Sequence, residues 1–124
     1  MDLGLKNKVA LVTGGSMGIG KAACLALAQE GTNVAICARG LDELKNTARE
    51  IKEATGSQVI PIRADMTSAE EVKMLVFSTV QALGEIDILV NNAVNSTSGR
   101  ASELPDDVWT VSYTHLTLPT KRIV

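Results

Sequence analysis

The residues of this chain best placed for chemistry lie in one short run, Thr13-Gly14-Gly15-Ser16-Met17-Gly18-Ile19-Gly20-Lys21-Ala22. Counted from Gly15 it reads G-x-x-x-x-G-K, close to the loop that wraps a nucleoside triphosphate. Counted from Gly14 it reads G-x-x-x-G-x-G, a relative of the turn that takes a dinucleotide pyrophosphate. The two readings demand different partners. A triphosphate loop needs Ser or Thr after the lysine, because that hydroxyl ligates Mg²⁺; here the position is Ala22. It also needs an apolar strand that ends in Asp to hold the metal. Asp87 instead precedes Leu89-Val90, and Asp65 follows a run interrupted by Pro61 and Arg63. The dinucleotide reading needs only glycines that let the backbone approach a diphosphate, followed at once by a helix whose first N–H groups are unpartnered.

The surrounding elements supply that context. Val9 to Val12, Asn33 to Cys37 and Ile86 to Val90 are short, nearly continuous apolar runs rich in branched residues, as expected of parallel strands covered on both faces. Gln58 to Ile62 is a fourth strand candidate, assigned to a sheet edge because Pro61 cannot donate to a ladder. Three helical segments alternate with them. Gly18 to Glu30 stops at Gly31. Leu41 to Ala54 places Leu44, Ala48 and Ile51 on one face and stops at Gly56. The third opens on Thr67-Ser68-Ala69-Glu70, read as a capping box, and stops at Gly84. This alternation predicts an α/β layered fold, the first half of a doubly wound parallel sheet with strand order 3-2-1-4.

Composition bounds the rest. The chain has 124 residues, 45% of them hydrophobic and 21% charged, with a net charge of −2. That balance suits a globular domain and offers no basic surface for nucleic acid. No apolar run reaches the length needed to span a bilayer, and the segment MDLGLKNKVALV lacks the pattern of a secretory leader. The expectation is a cytoplasmic protein without nucleic-acid or membrane partners. Cys24 and Cys37 have no metal-type spacing and read as buried free thiols. His115 stands alone and is assigned no role.

Three motifs in register resemble the short-chain dehydrogenase/reductase family: TGGSMGIG at Thr13 to Gly20, the acid in Arg63-Ala64-Asp65-Met66-Thr67, and Asn91-Asn92-Ala93 after the fourth strand. The resemblance runs from about Lys8 to Trp109 and covers only the N-terminal half of such an enzyme. It implies a Rossmann-type fold and an NAD(P)-dependent oxidoreductase that moves hydride between a carbonyl or alcohol and a nicotinamide. It implies that backbone around Gly14, Ser16, Met17, Gly18, Ile19 and Gly20 would wrap the cofactor's phosphates and ribose. Asp65 would accept from the adenine amino group, Met66 would line the same pocket, and Asn92 and Ala93 would border the nicotinamide ribose. Val94 departs from the family, which usually has Gly there. A full-length relative would act on a small-molecule carbonyl or alcohol and pair as a homo-oligomer.

The second strand runs Ile36-Cys37-Ala38-Arg39-Gly40, with no acid before Asp42. A carboxylate is missing where an NAD ribose 2′-hydroxyl would want one, and a guanidinium stands where a 2′-phosphate would. NADP(H) is therefore the expected cofactor, with NAD(H) as second candidate. The family's catalytic pair, a Tyr with a Lys four residues later, has no counterpart: Tyr113 is followed by Thr117, and Lys121 is eight residues on. Leu116 stands where the family's catalytic Asn would fall. From Thr110 the text turns dense in β-branched residues and closes on Pro119. We therefore divide the chain into a dinucleotide-binding region, 1–109, and a tail, 110–124, foreign to the family pattern through a frame change or a joined sequence. No catalytic residue or metal ligand is assigned, and the chain by itself is expected to be inactive. A non-enzymatic dinucleotide-binding module is the alternative. On this division the fourth strand should form an uncovered apolar edge.

Overall fold

A computed structural model describes residues 4–16, 18–92 and 122–123. The order of elements is β1 (Val9–Thr13), α1 (Gly18–Gln29), β2 (Asn33–Ala38), α2 (Leu41–Thr55), β3 (Val59–Arg63), α3 (Ala69–Leu83), β4 (Ile88–Asn91) and β5 (Arg122–Ile123). Every strand pairing is parallel, and the sheet runs β3-β2-β1-β4-β5. The predicted order 3-2-1-4 is thus present, with β3 and its Pro61 at one edge. One expectation is corrected at the other side. Arg122 and Ile123 pair with Ile88 and Leu89, so β4 is not an edge over those residues.

Strand alternation divides the core into two layers. Ala10, Val12, Val34, Ile36, Val59 and Ile88 point to the face covered by α1 and α2, where Cys24, Ala28, Leu44, Ala48 and Ile51 meet them. Val9, Leu11, Ala35, Cys37 and Leu89 point to the other face, beneath Val72 and Leu75 of α3. All five residues of β1 are buried because both of its faces are covered. Each large aliphatic side chain removed from water in this way contributes about 1.5–3 kcal/mol. No helix among the described residues is long and apolar enough to cross a membrane.

The helix ends explain where the chain re-enters the sheet. In α2 the buried stripe is Leu44, Thr47, Ala48 and Ile51, and Gly56 closes the helix in the left-handed region with its N–H on the Lys52 carbonyl. The start of α3 corrects the predicted capping box by one residue. Ser68, not Thr67, is the N-cap, and its Oγ accepts from the Glu71 N–H at 3.3 Å. Thr67 is diverted: its N–H and its hydroxyl both donate to Asp65 Oδ1, at 2.9 and 2.7 Å. At the N-terminal edge of the sheet, Asp87 accepts from the Val9 N–H at 3.0 Å and returns its own N–H to the Val9 carbonyl at 2.9 Å. Cys24 and Cys37 are buried free thiols.

Candidate dinucleotide-binding site

The site is built at the C-terminal ends of β1 and β4, where the strand order reverses and a doubly wound sheet opens a crevice. Thr13, fully buried, ends β1. Its hydroxyl donates to Asn91 Oδ1 and accepts from the Asn92 N–H, each at 3.0 Å. One side chain therefore ties the two central strands together at the mouth of the crevice.

The chain then turns at Gly14, whose φ of 70° lies in the left-handed region that a side chain disfavours. The amides of Gly14 and Gly15 both donate back to the Cys37 carbonyl, at 2.7 and 3.1 Å. These two N–H groups hold the loop against β2 and are committed there. The donors left for an anion are those of the first turn of α1, which an α-helix leaves without internal partners. Gly20 lies in that turn. A Cβ on it would fall on the Gly14 carbonyl and stand 3.0 Å from Asn92 Nδ2. The loop, the helix start and the end of β4 meet around this one missing side chain, a cradle of backbone too close for a Cβ.

Two contacts fix the loop from outside. Thr47 of α2, buried in the helix's apolar stripe, donates its hydroxyl to the Ser16 carbonyl at 3.1 Å. Sequence reasoning missed this residue, because its partner is a backbone carbonyl that packing brings to it. Lys21 pairs with Glu50 of α2 at 3.1 Å, with both side chains largely exposed. The lysine of the triphosphate reading is thus engaged with a carboxylate on the next helix. Asp87 is latched to Val9 at the opposite end of the strands. Ile19 is 75% exposed at the helix start, an apolar side chain left in solvent beside the loop.

The second cluster forms where β2 and β3 end. Ala38 and Arg63 are in register, and the Ala64 N–H donates to the Ala38 carbonyl at 3.1 Å. Exposed Arg39 is the next residue along from Ala38. Hydrogen bonds from the Thr67 side chain and N–H hold the Asp65 carboxyl below the usual carboxylate range, and the charges of Arg39 and Arg63 lower it further. Met66 is half-buried against the α3 layer of the core. Glu71, also missed by sequence reasoning, accepts from the Asp65 N–H at 3.2 Å and pairs with Arg63 at 3.3 Å.

Of the predicted site residues, Gly14, Gly20 and Asn92 converge on one point, with Ser16, Gly18 and Ile19 in the same loop and helix turn. Arg39, Asp65 and Met66 form the second cluster. Met17 and Ala93 lie outside the described residues, as do Val94 and the predicted tail as far as Lys121.

Comparison with known proteins bears on the family and the fold. The short chain dehydrogenase profile matches residues 8–116, past Trp109 and into the predicted tail. A putative ketoacyl reductase of Streptomyces coelicolor is 40% identical, over 83% of this chain and 39% of its own. The short-chain dehydrogenase/reductase homolog YusS of Bacillus subtilis is 44% identical, over 70% of this chain and 80% of its own. Among solved structures, L-sorbose reductase of Gluconobacter frateurii, complexed with NADPH and L-sorbose, superposes with a TM-score of 0.75 at 38% identity, over 90% of this chain and 42% of that one. The parallel sheet and its strand order define an α/β protein of the Rossmann type. The chain belongs to the short chain dehydrogenase family. It spans about two-fifths of the length of the ketoacyl reductase and of L-sorbose reductase.

Proposed function

We propose that this chain binds NADP(H) across the crevice at the ends of β1 and β4 and represents the cofactor-binding half of an oxidoreductase acting on carbonyls or alcohols. The observation that carries the reading is the Gly14–Gly20–Asn92 cradle, where backbone of the loop, the helix start and the end of β4 pack too closely for any side chain at Gly20. The bound nicotinamide would supply hydride chemistry. The chain's own residues bind and orient. N–H groups of the first turn of α1 hold the diphosphate, with Ser16, Met17, Gly18 and Ile19 around it. Asp65 accepts from the adenine amino group, Met66 lines that pocket, and Asn92 with Ala93 borders the nicotinamide ribose. Arg39 takes the 2′-phosphate, which favours NADP(H) over NAD(H); the NADPH held by L-sorbose reductase supports that preference.

Turnover is not expected of these 124 residues, since Tyr113 lacks a lysine four positions on. The 1–109 region then acts as the nucleotide-binding part, in a cytoplasmic enzyme that assembles as a homo-oligomer and meets no membrane or nucleic acid. A second reading is a non-enzymatic dinucleotide-binding module, in keeping with a Tyr113 that has no lysine four positions on. Calorimetric titration with NADPH, paired with a carbonyl panel monitored for NADPH oxidation, tests both halves of the proposal. Binding without turnover is expected. Turnover by the chain itself would contradict the assigned lack of a catalytic pair, and failure to bind either dinucleotide would end the reading.

A further inference from the structure

We propose that Glu71 is a positioning residue for base recognition, fixing the backbone of Asp65 so that the Asp65 carboxylate meets the amino group of adenine rather than the carbonyl of another purine. The inference rests on the dinucleotide reading above and adds the device that sets its base specificity.

Asp65 is held at three points. Its Oδ1 accepts twice from Thr67, its carbonyl accepts from the Ser68 N–H at 3.0 Å, and its own N–H donates to Glu71 Oε1 at 3.2 Å. The first two bonds are local to the turn. The third reaches from the first turn of α3, where Ser68 Oγ caps the backbone N–H of Glu71 at 3.3 Å and leaves the Glu71 side chain to Asp65 and Arg63. The same Oε1 stands 3.3 Å from Arg63 Nη1, but both side chains are substantially exposed, at 54% for Arg63 and 40% for Glu71. An ion pair so open to water is worth little by itself. The distinctive contribution of Glu71 is the acceptor it offers to the Asp65 amide. With Oδ1 committed to Thr67, Oδ2 is the oxygen the carboxylate has left for a ligand among the described residues. Adenine brings an N6 amino donor to that oxygen. Hypoxanthine brings a carbonyl lone pair in its place, so a fixed carboxylate rejects it while a loosened one can turn away.

Calorimetry on the full chain with NADPH and with its hypoxanthine analogue tests this. The wild-type protein should prefer the adenine dinucleotide about tenfold, as loss of one charge-assisted hydrogen bond implies. Glu71→Ala should bring that ratio close to one. Glu71→Gln should keep it, because the amide oxygen still accepts from Asp65 although the pair with Arg63 is gone. Ser68→Ala, which removes the helix cap, should lower Tm and leave the ratio intact, separating a structural loss from a positional one. An unchanged ratio in Glu71→Ala, or an equal loss in Glu71→Gln, overturns the inference. Wild-type binding of both dinucleotides without discrimination also overturns it and leaves the cofactor reading standing, whereas no binding of NADPH at all removes both.

Discussion

Thr13 and Asn91 stand in register at the ends of neighbouring strands, and the hydroxyl of the first donates to the side-chain oxygen of the second at 3.0 Å. The same hydroxyl accepts from the Asn92 amide, so the crevice mouth depends on a group that both gives and receives. Thr13→Val keeps the shape and removes both bonds. It should cost about 1–3 kcal/mol by urea denaturation, the range for leaving a polar partner unsatisfied, and weaken NADPH binding in parallel. Thr13→Ser should restore most of both.

Gly20 offers a sharper test of the cradle. In Gly20→Ala the new methyl would collide with the Gly14 carbonyl, which is backbone and cannot swing aside. NADPH binding should be lost, and Tm should fall. Gly40→Ala is the matched control, because a Cβ there meets open space at the start of α2 and φ is an ordinary −91°. Its binding isotherm should overlay the wild type.

Cofactor preference is predicted to reside in Arg39. Arg39→Ala should raise the NADPH dissociation constant about 10- to 150-fold, the equivalent of one charge-assisted hydrogen bond of about 1.5–3 kcal/mol. NADH binding should not move. Equal NADPH and NADH affinities in the wild type, unaffected by the substitution, would refute the assignment.

Protonation gives two opposite signatures. The Asp65 carboxyl is held below its ordinary 3.8 by Thr67, so the native state binds fewer protons than the unfolded chain near that pH. Its contribution to stability is present above the unfolded value and is lost as pH falls through the native one. Asp65→Asn should therefore flatten part of the acid limb in denaturation profiles. Burial raises both Cys24 and Cys37 from 9.0 to about 12, which keeps the native thiols protonated. Their contribution is present below 9.0 and is lost as pH rises through the native value. A thiol-specific disulfide reagent at about pH 8 should label neither cysteine in the native chain and both after unfolding.

Most of the sheet was legible because β1 and β2 are buried on both faces, and that double burial writes unbroken apolar runs such as Val9 to Val12. The boundary at α3 slipped by one residue because Thr67 and Ser68 are both competent caps, and only the fold shows that Asp65 claims Thr67. In the site, the glycine spacing announced Gly14 and Gly20 through the backbone geometry that they permit. Thr47 and Glu71 were illegible for a different reason. Each acts on a backbone group, Ser16 O or Asp65 N–H, brought to it by packing, and neither spacing nor residue type foretells such a partner. Arg122 and Ile123 were equally hidden, since two residues carry too little pattern to announce a strand.

The central claim is that amides of the opening turn of α1 hold a diphosphate bridge, with Lys21 directed elsewhere to Glu50. Amide chemical-shift mapping of the chain during titration with NADPH, and separately with ATP with and without Mg²⁺, tests it most directly. The account predicts metal-independent shifts from NADPH concentrated at Gly18 to Gly20, Asp65, Met66 and Asn92. Magnesium-dependent ATP binding centred on Lys21, with NADPH leaving those amides unmoved, would contradict it.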